Sequence, residues 1–289
     1  MTAAMPRVLL LGDERKGASR RLVEEFATWL RQRGCAVDFV LDRDSSLEER
    51  AADLVIVFGG DGSLLGAARR MGKNQRPTLG INVGRLGFLT AFEQGQAREA
   101  AEKALVGALP EEPRMLLHAT VVDADGRDSA PVLLMNDAVI SREAQGPMIT
   151  LRVLRQGEEV SAYRGDGLVV ATAAGSTAYS LAAGGPVLSP DLAALVLTPL
   201  ASHSLTTRPI VLPVDAGVEI ELVDTAGRGF AYLQLDGQIR KQVADGWRVR
   251  IQPANERFRH LGAGPGHFFR VLRAKFGFAG VLPPSGQGG

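Results

Sequence analysis

The stretch Leu54-Val55-Ile56-Val57-Phe58-Gly59-Gly60-Asp61-Gly62-Ser63-Leu64-Leu65-Gly66-Ala67-Ala68-Arg69-Arg70 decides how the chain is read. Its opening apolar run predicts a buried strand. The residues from Leu64 onward predict a helix, with Ser63 near its N-cap. Between them a glycine-rich turn carries one carboxylate, Asp61. Glycine allows φ > 0 and lets a ligand approach the backbone. The free N–H groups of a helix start attract an anion such as a phosphate. A carboxylate beside a phosphate is out of place unless it handles a proton or a metal, so the segment points to phosphoryl transfer. A plain packing turn, with Asp61 capping the helix, stays open on this segment alone.

Working outward, Val8–Leu11, Val37–Val40 and Pro77–Ile81 read as further strands, and Ala97–Leu109 as a helix. Ala18–Arg33 reads as an amphipathic helix with Leu22, Phe26, Trp29 and Leu30 on one face and Gly34 as its stop. This alternation predicts an α/β fold, a doubly wound parallel sheet with helices on both faces. Ligands of such sheets bind beyond the carboxyl ends of the strands, where Gly59–Ser63 falls. After Pro110-Glu111-Glu112-Pro113 the texture changes. Strands are predicted at Leu116–Val122, Val132–Ile140, Ile149–Arg155, Glu159–Tyr163, Ile210–Leu212, Val218–Val223, Gly229–Leu235 and Trp247–Ile251. The expected organisation is an α/β domain over 1–112, a β-rich domain over 113–265, and a tail over 266–289. In the tail, Phe268–Phe276 has helical spacing and is expected to pack back on the first domain, with Pro283–Gly289 frayed.

Composition removes several function classes. A net charge of +1 gives no global field for nucleic acid or an anionic membrane, and no basic run has interleaved aromatics. Cys35 is the only cysteine, which excludes an intramolecular disulfide and a cysteine zinc site; it reads as a small buried hydrophobe. His118, His203, His260 and His267 are scattered without a close pair, which argues against a histidine metal site. The uncharged stretch Gly167–Pro190 is long enough to span a bilayer but is broken by Gly, Ser, Thr and Pro, so it reads as lying against a ligand or another backbone. The first apolar run is too soon interrupted by charge to be a signal peptide, and the expected location is cytoplasmic.

Three more segments carry chemistry. Asp166–Pro186 runs from a buried strand into a small-residue turn whose Ser176, Thr177 and Tyr179 suit a nucleotide's base and ribose; a structural glycine turn is the alternative. Asn136-Asp137 interrupts an apolar strand, which is costly unless satisfied. An Asp can accept both hydrogens of a ribose diol, while an edge strand with solvated polar groups is the other reading. Asp236-Gly237, flanked by strands, reads first as a hairpin turn.

In this order the segments resemble the NAD kinase family of bacterial type. Gly59-Gly60-Asp61-Gly62-Ser63 resembles its glycine-aspartate turn, and Asn82-Val83-Gly84-Arg85-Leu86-Gly87-Phe88-Leu89 its glycine loop. Asn136-Asp137, Asp166–Pro186, Thr198–Leu205, Arg208-Pro209-Ile210 and Asp236-Gly237-Gln238 resemble later motifs, so the likeness runs from about Val55 to Phe276. The turn alone names only a superfamily shared with lipid kinases and phosphofructokinases. The resemblance implies transfer of the ATP γ-phosphoryl group to the adenosine 2′-hydroxyl of NAD, a site between two domains, and a homodimer or homotetramer. It implies Asp61 as base or orienter for that hydroxyl, with Gly59, Gly60, Gly62 and Ser63 along the phosphates. Asn136 and Asp137 hold the adenosine ribose, and Thr177 and Ala178 meet the adenine with Phe88 nearby. Asp166 and Tyr179 face the other nucleoside, in part across a subunit interface, and Asp236 is a further contact. Arg164 resembles members restricted to ATP as donor. Mg²⁺ is expected on phosphate oxygens and water, without a dedicated protein site, Asp61 being the one residue placed to touch it. Ser63 stands for the commoner Thr, and Ala173-Ala174 for the family's Pro-Thr, which removes a hydroxyl near the adenine. A non-catalytic NAD(P) sensor and a lipid kinase are the competing functions.

Overall fold

An apolar run with no polar alternation needs cover on both sides, and Leu54–Gly59 is buried at every position. The computed structural model describes residues 5–15, 17–84, 87–264 and 266–277. Arg85 and Leu86 of the glycine loop, and the Pro283–Gly289 tail, lie outside the described residues. The first half contains β1 (Arg7–Leu11), α1 (Gly17–Arg31), β2 (Ala36–Val40), β3 (Leu54–Gly59), α2 (Asp61–Met71), β4 (Thr78–Asn82), β5 (Phe92–Glu93) and α3 (Ala97–Leu105). β2, β1, β3 and β4 pair in parallel in that order. Alternate β3 residues feed two cores. Ile56 and Phe58 meet Phe26, Trp29 and Leu30 of α1, while Val55 and Val57 meet Leu64, Leu65, Ala68 and Met71 of α2. Phe26 lies 4.9 Å from Trp29 and meets Phe58 edge-on at 5.0 Å. Beyond α1, Gly34 turns the chain at φ +80°. Cys35 is a free, buried thiol, pushed up in pKa by burial.

The second half adds β6 (Glu111–Val122), β7 (Val132–Leu134), β8 (Asp137–Ser141), β9 (Ile149–Arg155), β10 (Glu158–Gly165) and β11 (Gly167–Thr172). These are followed by α4 (Tyr179–Ala182), β12 (Ala194–Leu200), β13 (Ile210–Pro213), β14 (Val218–Asp224), β15 (Phe230–Leu235), β16 (Ile239–Ala244), β17 (Arg248–Leu261) and α5 (Gly266–Phe276). One sheet runs β10-β9-β14-β17-β4-β3-β1-β2, with β6 on β17 and β7 on β6; the other runs β13-β12-β11-β8-β15-β16. Their facing sides share a core that includes Leu117, Leu151, Ile220 and Val249 from the first and Ile140, Leu168, Leu197 and Leu233 from the second. The halves are joined within the first sheet, because β17 leaves β14 and ends parallel to β4, with His260 opposite Thr78 and Leu261 opposite Leu79.

Several sequence expectations shift. The strand predicted over Val132–Ile140 is two strands, β7 and β8, in different sheets, with Met135 and Asn136 as the crossover. The composition change at Pro110–Pro113 falls inside or at the edge of β6, where Pro113 pairs with Arg259. β7 reaches only Leu117–Ala119, so the other edge at Pro113 has no partner strand to miss its N–H. β12 is not among the predicted strands; its Pro199 pairs with Leu168 of β11, while β13 stops at Leu197, short of it. β17 outruns its predicted end because a register shift between Pro253 and Arg257 absorbs the irregular residues. α3 ends at Leu105, ahead of Gly107 at φ +68°. The tail helix packs on the first half as expected, with Phe88 5.7 Å from Phe268 and 6.0 Å from Phe276.

Phe58 is 1% exposed at the foot of the glycine turn. Phe58→Ala is expected to cost about 3–5 kcal/mol, read as a lower urea midpoint at unchanged slope.

Candidate active site

The glycine turn differs in one detail from its sequence reading. α2 begins at Asp61, not after Ser63, and Gly60 is the N-cap without a side-chain cap bond. The Asp61 carboxylate instead reaches the loop that follows β4. Its Oδ2 accepts the Phe88 N–H at 2.8 Å, and its Oδ1 accepts the Leu89 N–H at 3.0 Å, the Thr90 N–H at 3.1 Å and the Thr90 hydroxyl at 3.3 Å. A Cβ on Gly87 would lie 1.9 Å from Asp61 Oδ1, so only glycine lets the loop come this close. Ser63 packs back on the turn, where a Cβ on Gly59 would meet its Oγ at 2.1 Å.

A cavity of about 690 Å³ lies at the helix start, and a smaller one of about 390 Å³ lies in the second half beside Asp166 and Tyr179. The larger is lined by Gly60, Gly62, Ser63, Arg69 and Arg70, with Arg15 and Arg43 across it. Arg15 and Arg43 both pair with the buried Asp13. Guanidinium groups and a helix N-terminus around one cavity suit a polyphosphate. The second half closes it: Gln238 Nε2 donates to the Gly62 carbonyl at 2.6 Å.

Gln238 ends the tight turn between β15 and β16. Asp236 at φ +49° and Gly237 at φ +66° give the left-handed pair such a hairpin needs, so that reading stands. The Asp236 side chain does more. It accepts the N–H groups of Met135 at 2.9 Å, Asn136 at 2.7 Å and Asp137 at 3.1 Å, fixing the crossover between the sheets. Thr172 ties the same segment to the turn after β11. Its hydroxyl donates to the Met135 carbonyl at 2.6 Å and accepts the Gly175 N–H at 3.0 Å. A Cβ on Gly175 would lie 2.1 Å from the Asn136 carbonyl oxygen. The backbone N–H of Tyr179 bonds the Asp137 carboxylate. Asn136, Asp137, Asp236 and the Thr177-Ala178-Tyr179 segment are thereby brought together from four places in the sequence.

Asp137 is 5% exposed, and burial, with the Asp236 charge beside it, pushes its pKa up to about 7. Burial pushes Asp236 up too, but three amides pull it back. Of the pair, Asp137 is therefore the one that holds a proton near neutrality.

The smaller cavity is lined by Arg142, Asp166, Tyr179, Ala183 and Leu200. Arg142 grips Asp166 with Nε to Oδ1 at 2.5 Å and a second contact at 3.2 Å, and Tyr179 leaves its ring 49% exposed at the rim. Arg164 is exposed and lines neither cavity. The Phe88 ring packs among Phe268, Phe276 and Lys275 of α5. Gln238 belongs to a motif quoted from the sequence, but no role was given to its side chain. Arg142 was not singled out and carries no local signal, since its partner Asp166 lies 24 residues away, between β10 and β11.

Residues 20–108 match the family model of the ATP-NAD kinase N-terminal domain, and residues 135–261 that of the ATP-NAD kinase C-terminal domain. The chain belongs to the NAD kinase family. An NAD kinase from Desulforamulus reducens is 36% identical over 288 residues, covering 94% of this chain and 97% of the relative. One from Heliobacterium modesticaldum is 35% identical, covering 94% and 98%. The crystal structure of yeast NADH kinase complexed with NADH shares the fold, with a TM-score of 0.86 at 22% identity over 99% of this chain and 91% of that one. That of an NAD kinase from Archaeoglobus fulgidus in complex with ATP aligns with a TM-score of 0.75 at 26% identity over 92% and 97%.

Two expectations follow for this NAD kinase family member. A folded-state pKa raised from 3.8 to about 7 means that the native protein binds the Asp137 proton more tightly than the unfolded chain does. That carboxylate therefore withdraws stability as pH rises from about 4 to about 7. Asp137→Asn, which cannot ionise, should gain on the wild type across this window and hold its full advantage, up to about 4 kcal/mol, above it. Denaturant titrations at pH 5 and pH 8 compare the two. Second, Ala173 has φ −58°, the value that proline fixes, and follows a strand residue. Ala173→Pro is expected to raise stability by about 0.4–1 kcal/mol in thermal melts.

Proposed function

We propose that this chain transfers the γ-phosphoryl group of ATP to the adenosine 2′-hydroxyl of NAD, giving NADP and ADP. The observation that carries the reading is the placement of Asp61 at a helix N-terminus, beside an arginine-walled cavity and linked through the Asp236–Gln238 turn to the Asn136–Asp137 and Thr177–Tyr179 segments. Gly59, Gly60, Gly62 and Ser63 line the phosphates. Asn136 and Asp137 take the ribose diol, Thr177 and Ala178 the adenine with Phe88 near the entrance, and Asp166 and Tyr179 the other nucleoside. In this reading residues 1–112 present the donor and 113–265 the acceptor, and the described part of the 266–289 tail, α5, returns to the first unit.

A secondary alcohol is barely acidic at neutral pH. Asp61 Oδ2 accepts one N–H, against three donors on Oδ1, and is the oxygen with room for the acceptor's proton. The 2′-oxygen forms its bond to Pγ as the Pγ–O bond to ADP breaks, and the proton passes to Asp61. Alignment and charge neutralisation supply the rest. Among the described residues no group of three or more His, Cys, Asp or Glu side chains is placed for a metal. A donor arriving as its Mg²⁺ complex would carry the ion largely on phosphate oxygens and water, with Asp61 as the residue that could touch it, and the ion would offset phosphate charge.

We infer a homodimer or homotetramer, because the cavity at Asp166 and the half-exposed Tyr179 ring leave room for a partner subunit to complete that nucleoside site. No helix among the described residues is long and apolar enough to cross a membrane; a cytoplasmic location is proposed from the substrates.

One observation favours a second reading, a non-catalytic NAD(P) sensor: the Asp61 carboxylate is already engaged by the Phe88–Thr90 amides. The deciding measurement is NADP formation from NAD and MgATP by the wild type and Asp61→Asn. Turnover in the wild type, lowered about 10²–10⁴-fold in Asp61→Asn with NAD binding retained, is expected. Near-full turnover in the variant would remove the proton-acceptor role, and wild-type binding without product would favour the sensor. Polyphosphate, offered in place of ATP, is expected to fail if Arg164 marks an ATP-restricted donor site.

A further inference from the structure

The loop Gly87–Thr90 is held from two sides. Its amides at Phe88, Leu89 and Thr90 point to Asp61. Its carbonyls point the other way, to two histidines far along the chain. His260 Nε2, at the end of β17, lies 2.6 Å from the Leu89 carbonyl oxygen, and His267, in the first turn of α5, sits against the Gly87 carbonyl with its Nε2 left without a hydrogen-bond partner. Both rings are buried, at 0% and 6% exposure. A carbonyl only accepts, so the His260 ring must donate. For His260 that fixes the proton on Nε2 and leaves Nδ1 without a hydrogen-bond partner, 3.8 Å from Glu112 Oε2. Burial, with Arg114 beside it, pulls His260 down to about 4, so that ring is neutral at working pH, and burial pulls His267 down as well. Glu112 in turn accepts the Gly264 N–H at 2.9 Å, which fixes the segment between the two histidines.

Neither histidine belongs to a motif singled out in the sequence, where they stand apart from each other and from Asp61. Neither lines a described cavity. A buried, neutral imidazole with one orphaned nitrogen is an uneconomical way to fill core space, since an apolar ring leaves nothing unsatisfied. What the His260 ring supplies is a donor at a carbonyl whose own peptide units carry the amides on Asp61.

We propose that His260 is a positioning residue for Asp61, clamping the Leu89 carbonyl, with His267 backing the same loop at Gly87, so that the loop amides hold the Asp61 carboxylate with Oδ2 toward the acceptor hydroxyl. The proposal rests on the kinase reading for its catalytic consequence but not for the clamp itself. The test is hydrogen exchange at the Phe88, Leu89 and Thr90 amides, together with steady-state kinetics, in wild type, His260→Leu, His260→Gln and His267→Leu. His260→Leu removes the donor, whereas His260→Gln keeps an N–H at nearly the same reach.

His260→Leu is expected to lose protection of those three amides by about tenfold or more, with the β3 amides unchanged. Its kcat should fall by about ten- to a hundredfold at an unchanged KM for ATP, and His260→Gln should recover most of both. Unchanged protection in His260→Leu, or equal losses in the Leu and Gln variants, would overturn the clamp. If His260→Leu does not fold, His267→Leu, at a helix start rather than in the sheet, is read in its place: lost protection of the same three amides supports the clamp, and unchanged protection overturns it. An inactive wild type would count against the kinase reading alone, because the exchange measurement needs no turnover.

Discussion

One carboxylate, Asp236, collects three consecutive backbone amides, and the site depends on that grip. Where β7 leaves one sheet and β8 enters the other, Met135 and Asn136 lie outside both ladders, and the N–H of Asp137, the first residue of β8, also turns to a side chain. Buried N–H groups without acceptors are costly, so the crossover needs an acceptor brought from elsewhere. The β15–β16 hairpin brings it, on a turn residue at positive φ whose neighbour Gln238 also reaches the glycine turn at Gly62. A single tight turn thus sets the spacing between the two parts of the candidate active site.

The same grip sorts the charges. Two carboxylates buried side by side do not both ionise at low cost. Asp236 has three amides to hold its charge, and Asp137 has the Tyr179 N–H. The asymmetry leaves Asp137 close to half-protonated near neutrality, able to donate or accept toward a diol. Here the packing of a crossover and the chemistry of the proposed ribose contact share one arrangement of backbone donors.

The parts of this fold that were legible in the sequence are those whose partners are local. The β3–glycine–α2 segment announced itself because both faces of β3 are covered and every residue of the run is apolar. Asn136-Asp137 was rightly flagged as expensive in a strand, but the remedy was hidden. Its acceptor, Asp236, lies 100 residues further on from Asn136, and the strand is in fact broken there. The β-rich half was less legible where prolines sit in strands: Pro199 pairs with Leu168 but stands past the end of β13, and Pro253 stands at a register shift. The orientation of Asp61 was out of reach for a related reason. Nothing near the glycine turn indicates that its carboxylate will be taken up by amides from residues 88–90, and those amides are backed in turn by histidines from the last strand and helix.

The join between β17 and β4 has a consequence for how the chain is made. β4 offers one edge to β3, while its other edge at Thr78 and Leu79 is covered by His260 and Leu261. On a ribosome the first half therefore emerges with an open parallel edge, and that edge stays open until nearly the whole chain has been synthesised. Unpaired edges of this kind are templates for wrong pairing, and closure over such a sequence separation is slow. The nascent first half is thus the species most exposed to aggregation and to chaperone capture, and the last strand to be translated is the one that seals it.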